Sequence, residues 1–168
     1  MDRRDFLRSG LIFGGLAAFS GLSLVSVSAA TPDDEKLPFK KIVKSDKQWK
    51  RILTAEQYRI TRQKGTEAPY SSPMNKNYRK GTFTCVCCDL PLFSSKTKFN
   101  SNTGWASFYA PVAKINVREA VDKSEAEIRT EVLCNRCDAH LGHVFGDGPK
   151  PTGLRYCING VAMKFVRG

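Results

Sequence analysis

The sequence is short of histidine and of acid, and it lacks repeats. Only two histidines occur in 168 residues, so any imidazole acid–base chemistry must be built from His140 and His143. Past Gly65 no stretch sustains a helical period, which excludes a helical bundle for the larger part of the chain. Nothing repeats except a cysteine pair that is used twice. Acidic residues number 16 against 27 lysines and arginines, a net charge of +11. Such a surplus would fit nucleic acid or an anionic membrane surface. The basic residues are nevertheless scattered rather than gathered in blocks, so the reading is a basic solvated surface with no nucleic-acid partner.

The length suits one domain with an appended segment. That segment is residues 1–30. "MDRRDFLRSG" is charged, "LIFGGLAAFSGLSLVSVSAA" is apolar and small, and a polar "TPDDEK" follows. Charged start, apolar middle and small-residue end make a secretory signal peptide. Arg3-Arg4 ahead of Asp5-Phe6-Leu7 gives it a twin-arginine character. The alternative is an apolar run that stays attached, for which it is about long enough; its glycines, serines and small-residue end favour cleavage after Ala29 or Ala30. The expected mature protein is exported to the periplasm, with membrane contact only if the signal is retained.

Residues 31–44 mix charge with two prolines and read as a linker or extended arm, leaving a domain at 45–168. Ser45 with Gln48, and Thr54 with Gln57, are capping-box patterns. They predict two short helices, the first burying Trp49, Ile52 and Leu53 on one face and the second stopping at Gly65. "TEAPYSSPMNKNYRKG" is too rich in Pro, Ser and Asn for regular structure. From Gly81 onward "TFTCV", "ASFYAPV", "EIRTEVLC", "HLGHVF", "LRYCIN" and "VAMKFV" read as strands. The fold class is mainly β (α+β), with short N-terminal helices ahead of an antiparallel β domain.

Four of the six cysteines form two Cys-x-x-Cys pairs, Cys85 with Cys88 and Cys134 with Cys137. Two such pairs supply four thiolates for one tetrahedral zinc ion. Forty-five residues separate the pairs, so the metal would clip two distant loops together. With four protein sulfurs and no open position, its role would be structural. Disulfide bonding is the rival, favoured by export, and six cysteines allow ~15 pairings. The repeated metal spacing, and a route that carries folded proteins, favour zinc.

Cys87 and Cys157 remain. A lone cysteine is most often a small buried hydrophobe, but Cys157 has notable neighbours. Arg155 and Asn159 lie two residues to either side and share its face if "LRYCIN" is a strand. A guanidinium and an amide beside a thiol favour thiolate and bind a polar oxygen. His140 and His143, followed by Asp147, point to acid–base work.

"CDAHLGHVFGDGPKPTGLRYCING", with "CVCCDLPLFSSKTKFNSNTGWASF" upstream, resembles the B-type methionine sulfoxide reductases. The resemblance runs from about Trp49 to Phe165. It implies two small antiparallel sheets, one structural zinc on Cys85, Cys88, Cys134 and Cys137, and reduction of the R epimer of methionine sulfoxide in oxidised proteins. It makes Cys157 the nucleophile, oxidised to sulfenic acid. Trp105 becomes the wall for the substrate methyl, and His140, His143, Asp147, Arg155 and Asn159 the groups around sulfoxide oxygen and thiol. His143 is the favoured acid. The expected protein is a monomer that repairs oxidised envelope proteins and draws on a thioredoxin-like or other thiol reductant.

The chain departs from the family at two positions. Thr103 stands where many members carry a resolving cysteine, and Ala106 where Pro is usual after the tryptophan. Cys87 is the one internal thiol that could resolve Cys157 without dismantling the metal site. A metal knuckle is stiff, however, and a disulfide needs Cα atoms within ~7 Å, so an external thiol is the expected reductant. Two other classes compete with an enzyme: a zinc-stabilised binding module and a disulfide-bonded binding protein of the envelope.

Overall fold

The computed structural model describes residues 37–168; the signal peptide read in residues 1–30 lies outside the described residues. Residues 37–44 form no helix or strand but are docked. Phe39 and Ile42 pack on the core, and the Ile42 N–H donates to the Arg136 carbonyl at 2.7 Å.

Both capping boxes form. Ser45 and Gln48 exchange hydrogen bonds at the start of α1 (Asp46–Ile52), and Thr54 and Gln57 do so for α2 (Ala55–Gln63). Trp49 and Leu53, one turn apart, are buried, but Ile52 is 57% exposed. A seven-residue helix presents a narrow seam, and Ile52 falls outside it. The second helix ends one residue before the expected stop, on Lys64, which takes the left-handed conformation itself (φ 56°). Gly65 answers a different need, because a Cβ there would press within 2.6 Å of the Arg59 guanidinium.

Among the described residues nine strands follow: β1 (Gly81–Cys85), β2 (Pro91–Ser94), β3 (Lys98–Phe99), β4 (Ala106–Phe108), β5 (Val117–Asp122), β6 (Arg129–Cys134), β7 (His140–Phe145), β8 (Arg155–Ile158) and β9 (Met163–Arg167). They build two antiparallel sheets, one ordered β2-β1-β9 and a larger one ordered β3-β4-β8-β7-β6-β5. β2 and β3 are too short to show a pattern, and β5 is a polar edge strand, so all three escape a reading by alternation. Among the described residues no helix is long and apolar enough to cross a membrane.

The core lies between the sheets. Phe93 of β2 stacks on Phe108 of β4 at 4.5 Å between ring centroids, and Phe83 of β1 meets Phe108 edge-on at 5.0 Å. Each ring is fully buried, contributing about 1.5–3 kcal/mol apiece by transfer from water. The large sheet presents Phe108, Val132, Tyr156 and Ile158 to this core. Alternation then sends their neighbours Ser107, Glu131, Arg155 and Cys157 to the opposite face. Cross-strand register extends the polar set: Cys157 lies opposite His143 on one side and Ser107 on the other. His143 in turn lies opposite Glu131. The functional groups are thus one face of one sheet.

Candidate active site and metal centre

Two matching turns carry the paired cysteines. After Cys88 and Cys137 the chain turns through Asp89 and Asp138, both left-handed (φ 60° and 53°). Each aspartate N–H donates at 2.9 Å to the carbonyl of the first cysteine of its pair. The four sulfurs lie within 4.8 Å of one another, with Cys85 and Cys137 3.7 Å apart and Cys88 and Cys134 3.5 Å apart. Zinc–sulfur bonds of ~2.3 Å place tetrahedral sulfurs about 3.8 Å apart, so the cluster fits a structural zinc. None of the six cysteines is in a disulfide. Since Cys85 ends β1 and Cys134 ends β6, the cluster joins the two sheets. Cys87 faces α2, its sulfur 3.4 Å from the Thr61 hydroxyl.

Cys157 sits at the middle of the large sheet, half-buried. The Thr103 hydroxyl stands 3.9 Å from its sulfur. That hydroxyl is held by Ser101 at 2.8 Å, and Ser101 by Ser107 at 2.7 Å, so the residue opposite Cys157 also fixes the one beside it. Burial pushes the Cys157 thiol up from its ordinary value; the Thr103 hydroxyl and the Arg155 guanidinium pull against that. Arg155 is oriented by a two-point pair with Asp147, both contacts 2.8 Å, and by the Phe145 ring beneath it at 4.4 Å. Asp147 therefore serves Arg155 and does not join the histidines.

In a regular strand residues three apart point to opposite faces. A register shift between Val132 and Leu133 breaks that rule in β7, and brings His140 and His143 to the same side, ring centroids 5.5 Å apart. Such bulges re-aim side chains next to sites. Gly142, between them, runs so close to β8 that a Cβ would overlap the Cys157 carbonyl. His143 Nε2 is 2.7 Å from Asp122 Oδ2. Hydrogen bonds, first from Ser124 and then from His143, hold the Asp122 carboxyl well below the usual range, so the carboxylate accepts and Nε2 carries the proton.

His140 Nδ1 likewise meets Glu131 Oε1 at 2.7 Å, and Lys64 reaches the other Glu131 oxygen at 2.8 Å. Burial opposes the charge on Glu131, but Lys64 and His140 together hold its carboxyl down. Burial lowers His140, leaving a neutral ring whose buried Nε2 has no partner. The left-handed turn at Lys64 is what carries its ammonium to this pair.

Trp105 starts the polypeptide into β4, its indole N–H donating to the Glu67 carbonyl at 3.1 Å. Asn159 lies just past β8 rather than beside the thiol. Its amide is spent on the Glu67 N–H (3.0 Å) and the Leu141 carbonyl (3.0 Å). The structure therefore gathers Cys157, His140, His143, Arg155 and Asp147 on one surface, and adds Asp122, Glu131 and Glu67, which the sequence reading passed over.

The SelR domain model matches residues 53–167. Three curated relatives carry the name peptide methionine sulfoxide reductase MsrB. That of Pseudomonas putida (strain W619) is 56% identical over 125 residues, covering 74% of this chain and 94% of its own. That of Hahella chejuensis is 51% identical, covering 74% of this chain and 90% of its own. The Leptospira interrogans protein is 55% identical, covering 74% and 95%.

Proposed function

The chain belongs to the SelR-domain family of peptide methionine sulfoxide reductases, and from that premise we propose how its isolated thiol does the work. The enzyme is an oxidoreductase that reduces methionine sulfoxide in proteins. Cys157 is the nucleophile. Its thiolate attacks the sulfoxide sulfur, and the S–O bond breaks as the oxygen is protonated and leaves as water. Water then attacks the Cys157 sulfur, breaking the new S–S bond and releasing the thioether. In net terms thiol plus sulfoxide gives cysteine sulfenic acid plus thioether. A first external thiol condenses with the sulfenic acid, releasing water and leaving a mixed disulfide. A second thiol frees Cys157 and departs as the oxidised donor.

The observation that carries this reading is the register that sets Cys157 directly opposite His143. With Nε2 committed to Asp122, Nδ1 of His143 is left to take the Cys157 thiol proton and pass it to the oxygen. Arg155 favours the thiolate, and the Trp105 ring takes the methyl group, a contact that sulfur-bound methyls make well. Methyl, oxygen and line of attack are then fixed together, which selects the R epimer. Zinc on the four paired cysteines would tie the sheets and take no part in the chemistry. The twin-arginine-like start supports work on oxidised envelope proteins after export.

Turnover on the two resolved epimers, first with dithiothreitol and then with a thioredoxin-like donor, tests the reading. The R epimer should be consumed and the S epimer spared. Cys157→Ser should be inert with its zinc content unchanged. Comparable rates on both epimers, or appreciable turnover by the serine variant, would sink it.

A further inference from the structure

Glu67 is almost fully buried (3% exposed) in the loop between α2 and β1, within a stretch whose composition promises no structure. All of its polar groups are engaged. One carboxylate oxygen accepts the Gly160 N–H at 2.8 Å and the other the Val161 N–H at 2.8 Å. Its main-chain N–H donates to Asn159, and its carbonyl takes the Trp105 indole. One residue thus touches both the segment that leaves the Cys157 strand and the aromatic wall.

The loop reinforces both grips. The Tyr70 N–H donates to the Gly104 carbonyl at 2.7 Å and the Tyr70 hydroxyl to the Asn102 carbonyl at 2.9 Å. Gly104 approaches Pro69 so closely that a Cβ would stand 2.6 Å from its ring. At the other end a Cβ on Gly160 would overlap the Ser72 hydroxyl. Residues 67–72 form a strap across the loop carrying Trp105 and the turn Gly160–Ala162, and the buried carboxylate pins it.

We propose that Glu67 is a positioning residue, which sets the spacing between Trp105 and Cys157 by pinning this strap to the Gly160–Val161 turn. The inference rests on Cys157 as nucleophile and Trp105 as methyl wall. A carboxylate suits the task because two adjacent N–H donors need two acceptor oxygens. Glutamine offers one oxygen and an NH₂ group that opposes the second donor.

The experiment compares Glu67→Gln and Glu67→Ala with the parent, all zinc-loaded and in a Trp49→Phe background, so that Trp105 alone reports by fluorescence. An active-site displacement of about 1 Å costs roughly 10²-fold. We therefore expect kcat/KM for the R sulfoxide to fall ~10–100-fold, with a rise in KM, weaker R-over-S preference and altered Trp105 emission. The rate at which Cys157 is alkylated should change much less than kcat/KM, because Arg155 lies outside the strap and keeps its pair with Asp147. A kcat/KM within twofold of the parent would overturn the inference. So would a parallel loss of thiol alkylation, or loss of zinc and fold in both variants, which would make Glu67 a folding residue. If instead Cys157→Ser retains turnover, the nucleophile assignment fails, and that result is distinct from any of these.

Discussion

Thr103→Cys should turn this enzyme into one that resolves its own sulfenic acid. The Thr103 hydroxyl lies 3.9 Å from the Cys157 sulfur, and a disulfide requires ~2.0 Å between sulfurs. The loop must therefore close by about 2 Å. The Thr103 side chain is held by the Ser101 hydroxyl, a contact the substitution releases, so the closure is made at residue 103 while Tyr70 keeps its hold on the Asn102 and Gly104 carbonyls. A tethered thiol acts at an effective concentration of millimolar order even on a flexible link. Against a donor at ~0.1 mM it should capture the sulfenic acid at least about tenfold faster. The change has a cost: the hydroxyl no longer supports the thiolate. Hydrogen bonds to charged groups contribute about 1.5–3 kcal/mol, so the first half-reaction should slow by roughly one to two orders of magnitude. The assay is one equivalent of R sulfoxide, an alkylating quench and peptide mapping. The parent should block one thiol and trap as a dimedone adduct. The variant should lose two thiols and yield a 103–157 disulfide. If it still blocks a single thiol and labels with dimedone, the reasoning fails, and loop geometry rather than the missing sulfur accounts for dependence on external thiols.

Cys134→Ser should lose the metal together with cooperative melting. A structural zinc contributes about 10 kcal/mol or more in small domains, comparable to the whole stability of a typical fold; a metal-free variant that melts like the parent would refute the assignment. Alkylation of Cys157 should accelerate with rising pH, because burial holds its thiol above the ordinary value and thiolate forms only as pH climbs towards it. Removing the opposing guanidinium in Arg155→Ala should move that midpoint higher still, so a midpoint unchanged or lowered would contradict the role given to Arg155.

What the sequence made legible was what local physics controls. Both helices announced themselves by their capping boxes, the metal cluster by its spacing, and Cys157, together with Cys87, by exclusion from it. The groups that orient the proposed catalytic side chains were hidden because they depend on register between distant strands. Asp147 looked like the partner of the histidines, being only four residues past His143, yet a bend returns it to Arg155. The true partner of His143 is Asp122, on an edge strand too polar to read as one, brought across two ladders by pairing alone. Exchange of the two acids is measurable, and the two should fail differently. Asp122→Asn keeps an acceptor for the Ser124 N–H but loosens the imidazole. Sulfoxide turnover should therefore fall by up to the ~10²–10⁴-fold that a positioned acid supplies, while alkylation of Cys157, which needs no acid, should proceed as in the parent. Asp147→Asn should do the reverse: its charge holds the thiol up, so the alkylation midpoint should move down with Arg155 still in place. Should Asp122→Asn slow both reactions equally, or neither, the tie to His143 would be structural only, and the proton would have to reach the oxygen from elsewhere.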